Sequence, residues 1–485
     1  MIQKYTSLII LAAALAGCTA GPDYAGPPDI ESTGGSEEFA RADSEISDAA
    51  PELARWWVLL DDPELTRLVD AALVENLSLV AVQARLNQAR ASLRQEQAGR
   101  FPSLGTQATV VQGTLPGLDI QSRGSSTASN TPTSQQNQDS SVSLYNVGLN
   151  ANWELDFAGG TGRRIEMANA QTAAAVATAE DAKVQLTAEV ANTFVNLREA
   201  QFRSLQYRSQ IALQEKTLEL TYERYQQGAL PLFPVGNANG ELELLKAHLA
   251  WAMADEAVLA DALAVLIGRV PGTLSVGTPQ ILEIPLPPER VMVGDPASLI
   301  ARRPDIRAAE RSLAAATARI GVAEAAKFPK LSFMGILGLG GSSPDDLFDV
   351  DDFSALAIPR LQWNFLDFGR VEASIDRAEA ARNEAAATYH QTVLAALQDA
   401  ERALARFAQQ RTNLAAHAQI KFQADGAADL HQQRFDAGAI SRWELNRSLR
   451  DKDQADSNLM RAKADLTLAW IALQKSLGLG WQDAA

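Results

Sequence analysis

The chain has 485 residues, of which 46% are hydrophobic and 21% charged, and a formal net charge of −16. That length holds two or three domains or one elongated one, and an acidic chain without Lys/Arg clusters excludes a nucleic-acid partner, whose phosphates demand them. A single cysteine, Cys18, excludes an intrachain disulfide and any Cys-based metal site.

At the N-terminus, Lys4 supplies a short positive region, Leu8 to Leu15 an apolar one, and Leu15-Ala16-Gly17-Cys18 closes it with small residues, the layout of an export signal. The apolar run is too short to span a bilayer, and no other run of about 20 residues is apolar, so further membrane contact cannot be a transmembrane helix. The closing four residues resemble a bacterial lipoprotein signal, in which Cys18 becomes the acylated mature N-terminus; the plain alternative is an ordinary signal peptide with an incidental cysteine. Several acyl chains on one residue would hold the protein stably at a membrane.

A Pro, Gly, Ser and acid-rich segment then runs to about Pro51 and is expected to be extended. After Trp56-Trp57, Asp62 is placed to cap a helix with Pro63 at its first position. Leu65, Leu68, Val69, Ala72, Leu73 and Asn76 recur at i, i+3, i+4 spacing, which predicts one helix from Pro63 through Arg100, ended by Phe101-Pro102. From Ser103 the period changes. Tyr145, Val147, Leu149, Ala151 and Trp153 alternate with Asn146, Gly148, Asn150 and Asn152, a strand with one apolar and one polar face. The polar stretch from about Gln121 to Ser141 reads as an exposed loop, so residues 103–153 form a hairpin.

Arg163 to Gln227 contains neither Gly nor Pro, and Arg370 to Ala437 has no Pro and only Gly426. At 1.5 Å per residue each is a helix about 100 Å long, more than a globular core needs. A second hairpin is expected over 330–365, with Phe353, Ala355, Ala357, Leu361, Trp363 and Phe365 on one face and Pro359 as a weak point for a ladder. The recurrence is an internal duplication. Leu155-Asp156-Phe157 matches Leu366-Asp367-Phe368, Arg224 and Gly228 match Arg434 and Gly438, and Ile267-Gly268 matches Leu477-Gly478. The predicted organisation is a signal peptide (1–17), an extended segment (18–55), a first repeat (56–270, return helix 236–268), a linker (271–303), a second repeat (304–478, return helix 443–477) and a tail (479–485). Four strands with a lipid-compatible face must close, yet barrels begin at about eight strands, so two or three copies are needed and periodicity does not choose between them.

With these pieces in order, the chain resembles the TolC/OprM-type outer-membrane efflux factors, specifically their NodT-like lipoproteins. The resemblance rests on Leu15 to Cys18 with Gly21-Pro22-Asp23-Tyr24, Trp56-Trp57 with Asp62-Pro63-Glu64-Leu65, the run Arg302 to Glu310, the run Ala318 to Ala323, and Phe328-Pro329. It implies a mainly helical, internally duplicated fold with a membrane β-barrel. Long coiled-coil helices form a trimeric α-barrel tunnel, and four strands per chain build a twelve-stranded barrel. It further implies an outer-membrane exit duct of a tripartite efflux system with no cofactor and no enzymatic activity, a periplasmic adaptor, a resistance-nodulation-division pump in the inner membrane, and drugs or other small toxic compounds as cargo. Within that architecture the alternative is a type I secretion or metal-efflux component; outside it, a non-conducting periplasmic structural lipoprotein.

The resemblance also places sites. The two helix-turn-helix tips would close the periplasmic end and dock the adaptor, through Arg224 and Gly228 in the first half and Arg434 and Gly438 in the second. Where the family carries axial carboxylates after the second turn, this chain has Glu444 and Arg447; the first tip has Pro234 instead of an acid, a departure. Three Glu444 carboxylates around an axis would repel one another, attract cations and have raised pKa values. At i, i+3 on a helix, Glu444 and Arg447 equally read as a solvated ion pair. His417 and His431 lie about 21 Å apart along a helix, too far to share a metal, and no phosphate loop or Ser/His/Asp arrangement is present. The acidic group from Asp345 to Asp352 reads as a solvated loop.

Overall fold

The computed structural model describes residues 19–27, 39–41, 46–47, 55–115, 140–274, 276–277 and 283–481. The export signal, Cys18 and most of the polar stretch after Gln121 lie outside them. In chain order the elements are β1 (Ile46–Ser47), a 3-10 turn (Trp56–Leu60), α1 (Pro63–Glu75), α2 (Leu77–Ala98), β2 (Ser103–Leu115), β3 (Ser140–Leu155), α3 (Gly160–Gln226), α4 (Phe233–Leu266) and β4 (Val291–Met292). There follow α5 (Pro296–Arg302), α6 (Pro304–Glu324), β5 (Lys330–Gly341), β6 (Phe353–Gln362), α7 (Arg370–Asp436) and α8 (Arg442–Ser476).

The single helix predicted from Pro63 to Arg100 is two. Asn76 leaves the helix with ψ 121°. Its side-chain oxygen accepts from the Leu79 N–H at 3.0 Å, and its Nδ2 donates to the Leu266 carbonyl at 2.8 Å. One amide therefore satisfies the start of α2 and the last turn of α4, both of which otherwise leave backbone groups unpaired. Periodicity counted Asn76 as a helix-face residue and missed the break. The N-cap upstream is as read: Asp62 accepts from the N–H groups of Glu64 and Leu65, with Pro63 in the first turn. Within the segment expected to be linker, Asp295 caps the seven-residue α5 by accepting from Ser298.

The chain divides into two compact units, each drawing on both halves of the duplication. The first holds residues 89–171 and 313–384 together with the described residues before Pro27. Its core is an antiparallel sheet in the order β2-β3-β5-β6. The register sorts the faces: Ala108, Val147 and Leu339 align with Phe353, and Leu104, Ala151 and Gly335 with Ala357, on the apolar face. Asn146, Asn150, Asn152 and Glu154 share the other with Gln107, Thr109, Ser332 and Arg360; it is polar along the first hairpin and mixed along the second, where Met334, Ile336, Leu356 and Ile358 lie on it. Pro359 lies on β6, at the end of the sheet order, where a missing N–H is tolerated.

The duplication extends to individual hydrogen bonds. Trp153 Nε1 donates to the Arg100 carbonyl and Trp363 Nε1 to the Lys327 carbonyl, both at 3.0 Å, each just ahead of a Phe-Pro pair. Asp156 caps α3 by accepting from Thr161 and Gly162, and Asp367 caps α7 by accepting from Gly369 and Val371.

The second unit holds residues 55–88, 172–312 and 385–481 with the described residues between 27 and 47. Its core packs Trp56 and Trp57 against α1, α3, α7 and α8, with Leu65, Leu68, Phe194, Leu197, Leu404 and Trp470 fully buried. Trp56 meets Trp57 and Trp470 edge-on, at 5.8 and 5.4 Å between ring centroids. Ala188, Ala191 and Ala200 on α3 and Ala396, Ala400 and Ala403 on α7 are buried. With no side chain beyond Cβ, they let helices approach closely.

Candidate functional site: the helical tips

The two turns that join α3 to α4 and α7 to α8 have the same construction. Gly228 and Gly438 take φ of +74° and +72°. In the first turn the N–H groups of Ala229 and Gly228 donate to the carbonyls of Arg224 and Tyr225, both at 2.9 Å. In the second, Ala439 and Gly438 donate to Arg434 and Phe435, both at 2.8 Å. This is the Schellman closure, in which a left-handed residue turns two N–H groups back onto the last free carbonyls. A Cβ on either glycine would meet nothing within 4 Å, so backbone conformation alone demands glycine there. The backbone carbonyls of Arg224 and Arg434 are turn acceptors, and both side chains are exposed.

Beyond the turns the tips differ. In the first, α4 begins at Phe233 with Pro234 in its first turn and no side-chain cap. In the second, Ser441 and Glu444 form a reciprocal capping box: Ser441 Oγ accepts from the Glu444 N–H, while Glu444 Oε2 accepts from the Ser441 N–H at 2.8 Å and its hydroxyl at 2.9 Å. Those donors, the Ser441 N–H first, hold the Glu444 carboxyl below its usual range. The raised value expected for a carboxylate cluster is therefore not what this chain's own contacts produce. The surface ion pair read at i, i+3 is not formed either, because Glu444 turns back to its cap and the Arg447 guanidinium lies 6.0 Å over the Trp443 ring. Arg442 sits 4.9 Å over the Phe435 ring, bridging the turn by a cation–π contact. The structure thus gathers Arg434, Gly438 and Glu444 at the second tip, with Arg447 on the next turn of α8, and Arg224 and Gly228 at the first.

Sequence reasoning missed a polar junction set back from the turns. Asn446 Nδ2 donates to Thr217 Oγ1 at 3.1 Å, Gln206 Nε2 donates to the Asp453 carbonyl at 2.6 Å, and Arg450 lies 3.8 Å from Glu241. These contacts tie α8 to α3 and α4, and Asn446, Thr217, Arg450 and Glu241 border a cavity of about 120 Å³. Inside the first hairpin, buried Gln214 donates to the Ala238 carbonyl at 2.9 Å. The available signal was spacing. Gln210, Gln214 and Thr217 form one stripe and Asn446, Arg450 and Gln454 another, but a single chain does not say which stripe faces which. Lys421 adds a further tie, reaching Asp425 on its own helix at 2.5 Å and Asp456 on α8 at 3.0 Å. The Lys421 hydrogen bond holds the Asp425 carboxyl below its usual range.

Leu218, Tyr222, Leu232 and Val235 line an open groove beside Glu215 and Glu219 near the first tip. No group of three or more His, Cys, Asp or Glu among the described residues could hold a metal ion. No helix among them is long and apolar enough to cross a membrane.

A profile of the outer membrane efflux protein family matches residues 68–269 and 296–479. The chain belongs to that family. It is 27% identical over 474 residues to nodulation protein T of Rhizobium leguminosarum bv. trifolii, covering 97% of this chain and 96% of the relative. Outer membrane protein OprJ of Pseudomonas aeruginosa is 28% identical over 487 residues, 98% of this chain and 96% of the relative. Among solved structures, the open state of the Neisseria gonorrhoeae MtrE outer membrane channel superposes with a TM-score of 0.78 at 27% identity, over 96% of this chain and 98% of that one.

Proposed function

We infer that the protein is the outer-membrane exit duct of a tripartite efflux system, and that it conducts cargo without transforming it. The observation that carries this reading is the sheet: one apolar face, a second face that is polar along the first hairpin, and two terminal strands, β2 and β6, that have no second neighbour among the described residues. Three chains of four strands close such a sheet into a barrel of twelve, with the apolar face to lipid and the polar face to a wet lumen. The long helices of the three chains form a periplasmic tunnel. A periplasmic adaptor and an inner-membrane pump of the resistance-nodulation-division class feed it, and the pump selects the small toxic compounds that pass.

The tips are the proposed gate and docking surface. Arg224, Gly228, Arg434 and Gly438 shape the turns that meet the adaptor, and Glu444 with Arg447 lies at the mouth of the second hairpin. Opening requires α8 to part from α3 and α4, so the Asn446, Gln206 and Arg450 contacts bias the closed state, and an adaptor opens the duct to the extent that it binds the parted form more tightly. Cys18, outside the described residues, is the proposed acylation site. The repeats at 56–270 and 304–478 are the proposed organisation of the chain.

Conductance tests the reading. The detergent-extracted oligomer in a planar bilayer is expected to give discrete channel currents that increase when adaptor is added. An oligomer that never conducts, even with Glu444 neutralised, would favour a structural lipoprotein.

A further inference from the structure

Arg163, in the first turn of α3, has a side chain only 4% exposed. Its Nε donates to the Ala20 carbonyl at 2.9 Å, its Nη2 to the Gly21 carbonyl at 2.8 Å, and it pairs with Asp23 at 2.7 Å. Glu166 braces the guanidinium from the next turn, also at 2.7 Å. The Ala20 N–H in turn donates to the Ala158 carbonyl. A buried guanidinium needs every one of these partners, since an unpaired cation in that position is strongly unfavourable. Its partners here are contributed largely by the segment immediately after Cys18.

Glycines shape the space. Gly21 (φ +84°) lies against Gly321 of α6 so closely that a Cβ on it would overlap the Gly321 backbone. A Cβ on Gly321 would stand 2.7 Å from the Ala20 oxygen and 2.8 Å from the Arg163 side chain. The slot thus excludes side chains from both walls and admits an extended backbone; Ala158, which holds Ala20, follows the exposed Phe157 in the chain, and Phe101, Phe328, Trp363 and Phe368 are further exposed aromatics at the strand ends of the same unit. Such a rim marks the level of a membrane interface.

We propose that Arg163 and this glycine-lined slot are a binding site for the mature N-terminus of the chain itself, fixing the residue that bears the lipid at the barrel wall. Thr19 is one peptide bond, about 3.8 Å, from the proposed acylated residue. Docked, the segment delivers acyl chains to the lipid beside the aromatic rim; undocked, the same lipid would be the end of a free tether. The proposal builds on the acylation of Cys18 and on the barrel reading.

The test uses the full-length lipoprotein with a nitroxide on Pro22→Cys, in vesicles containing a nickel-chelating lipid. In the otherwise unaltered protein the nitroxide is expected to be immobile and relaxed by the headgroup nickel. Arg163→Ala is expected to raise the mobile fraction about 10- to 100-fold, the worth of a hydrogen bond to a charged group, and Asp23→Asn, on the exposed segment side, up to about 5-fold. The mass of the N-terminal peptide is expected to show acylation unchanged in both. A nitroxide mobile in the unaltered protein, or equally immobile in both variants, overturns the slot. An N-terminal peptide without acyl mass, beside an Arg163-dependent immobile nitroxide, supports the slot and rejects the acylation reading.

Discussion

Replacing both Asn446 and Gln206 by Ala removes the two hydrogen bonds that join α8 to α3 near the tips. A neutral hydrogen bond contributes about 1 kcal/mol net. Thr217 Oγ1 keeps a bond to the Leu213 carbonyl at 3.0 Å, so the Asn446 change strands no buried hydroxyl. Loss of both bonds therefore costs about 2 kcal/mol, and removing the half-exposed Arg450–Glu241 pair as well adds less than about 1 kcal/mol. If all of this is lost on opening, 2 to 3 kcal/mol shifts the closed-to-open ratio about 30- to 150-fold. Single-channel recording of the purified oligomer reads that shift as open probability, and a double-mutant cycle reports whether the two bonds act as one unit. An unchanged open probability together with a urea midpoint lowered by the same free energy would refute the reasoning. The junction would then hold the helices together in both states.

Further outcomes follow from the tips and the helices behind them. Gly438→Ala forces a Cβ onto φ +72° without a steric clash, so stability should fall by about 1 kcal/mol and adaptor affinity should fall with it; a urea titration and a binding isotherm check the two effects. Glu444→Gln should reduce cation preference in reversal-potential measurements, and unchanged selectivity would confine Glu444 to helix capping. Asp425, held below the usual carboxylate range by Lys421, stabilises the fold fully above its unfolded pKa of about 3.9 and loses that contribution as pH falls through its lower folded value. Urea midpoints measured from pH 6 down to pH 3 should therefore fall less steeply in Asp425→Asn than in the unaltered protein.

What was legible in the sequence was whatever repeats along one element. The two glycine-free or nearly glycine-free runs carried the long helices, alternation from Tyr145 to Trp153 carried the two-faced sheet, and Asp62-Pro63 carried a cap. The break at Asn76 was hidden because its amide bonds to Leu266, far along the chain, and no local pattern records that partner. The polar junction was hidden likewise, since stripes at helical spacing do not name the helix they face. Glu444 has a local role that its charge did not announce. It is held at a helix start by a serine three residues before it, a capping box present in the sequence as Ser441-Arg442-Trp443-Glu444.

The most direct test of the duct is the native mass of the detergent-extracted protein, followed while strand content is monitored during heating in SDS. The expected result is a trimer whose strand signal disappears only as the chains separate, because the four strands described in one chain are too few to close a barrel. A monomer that keeps its strands would contradict it.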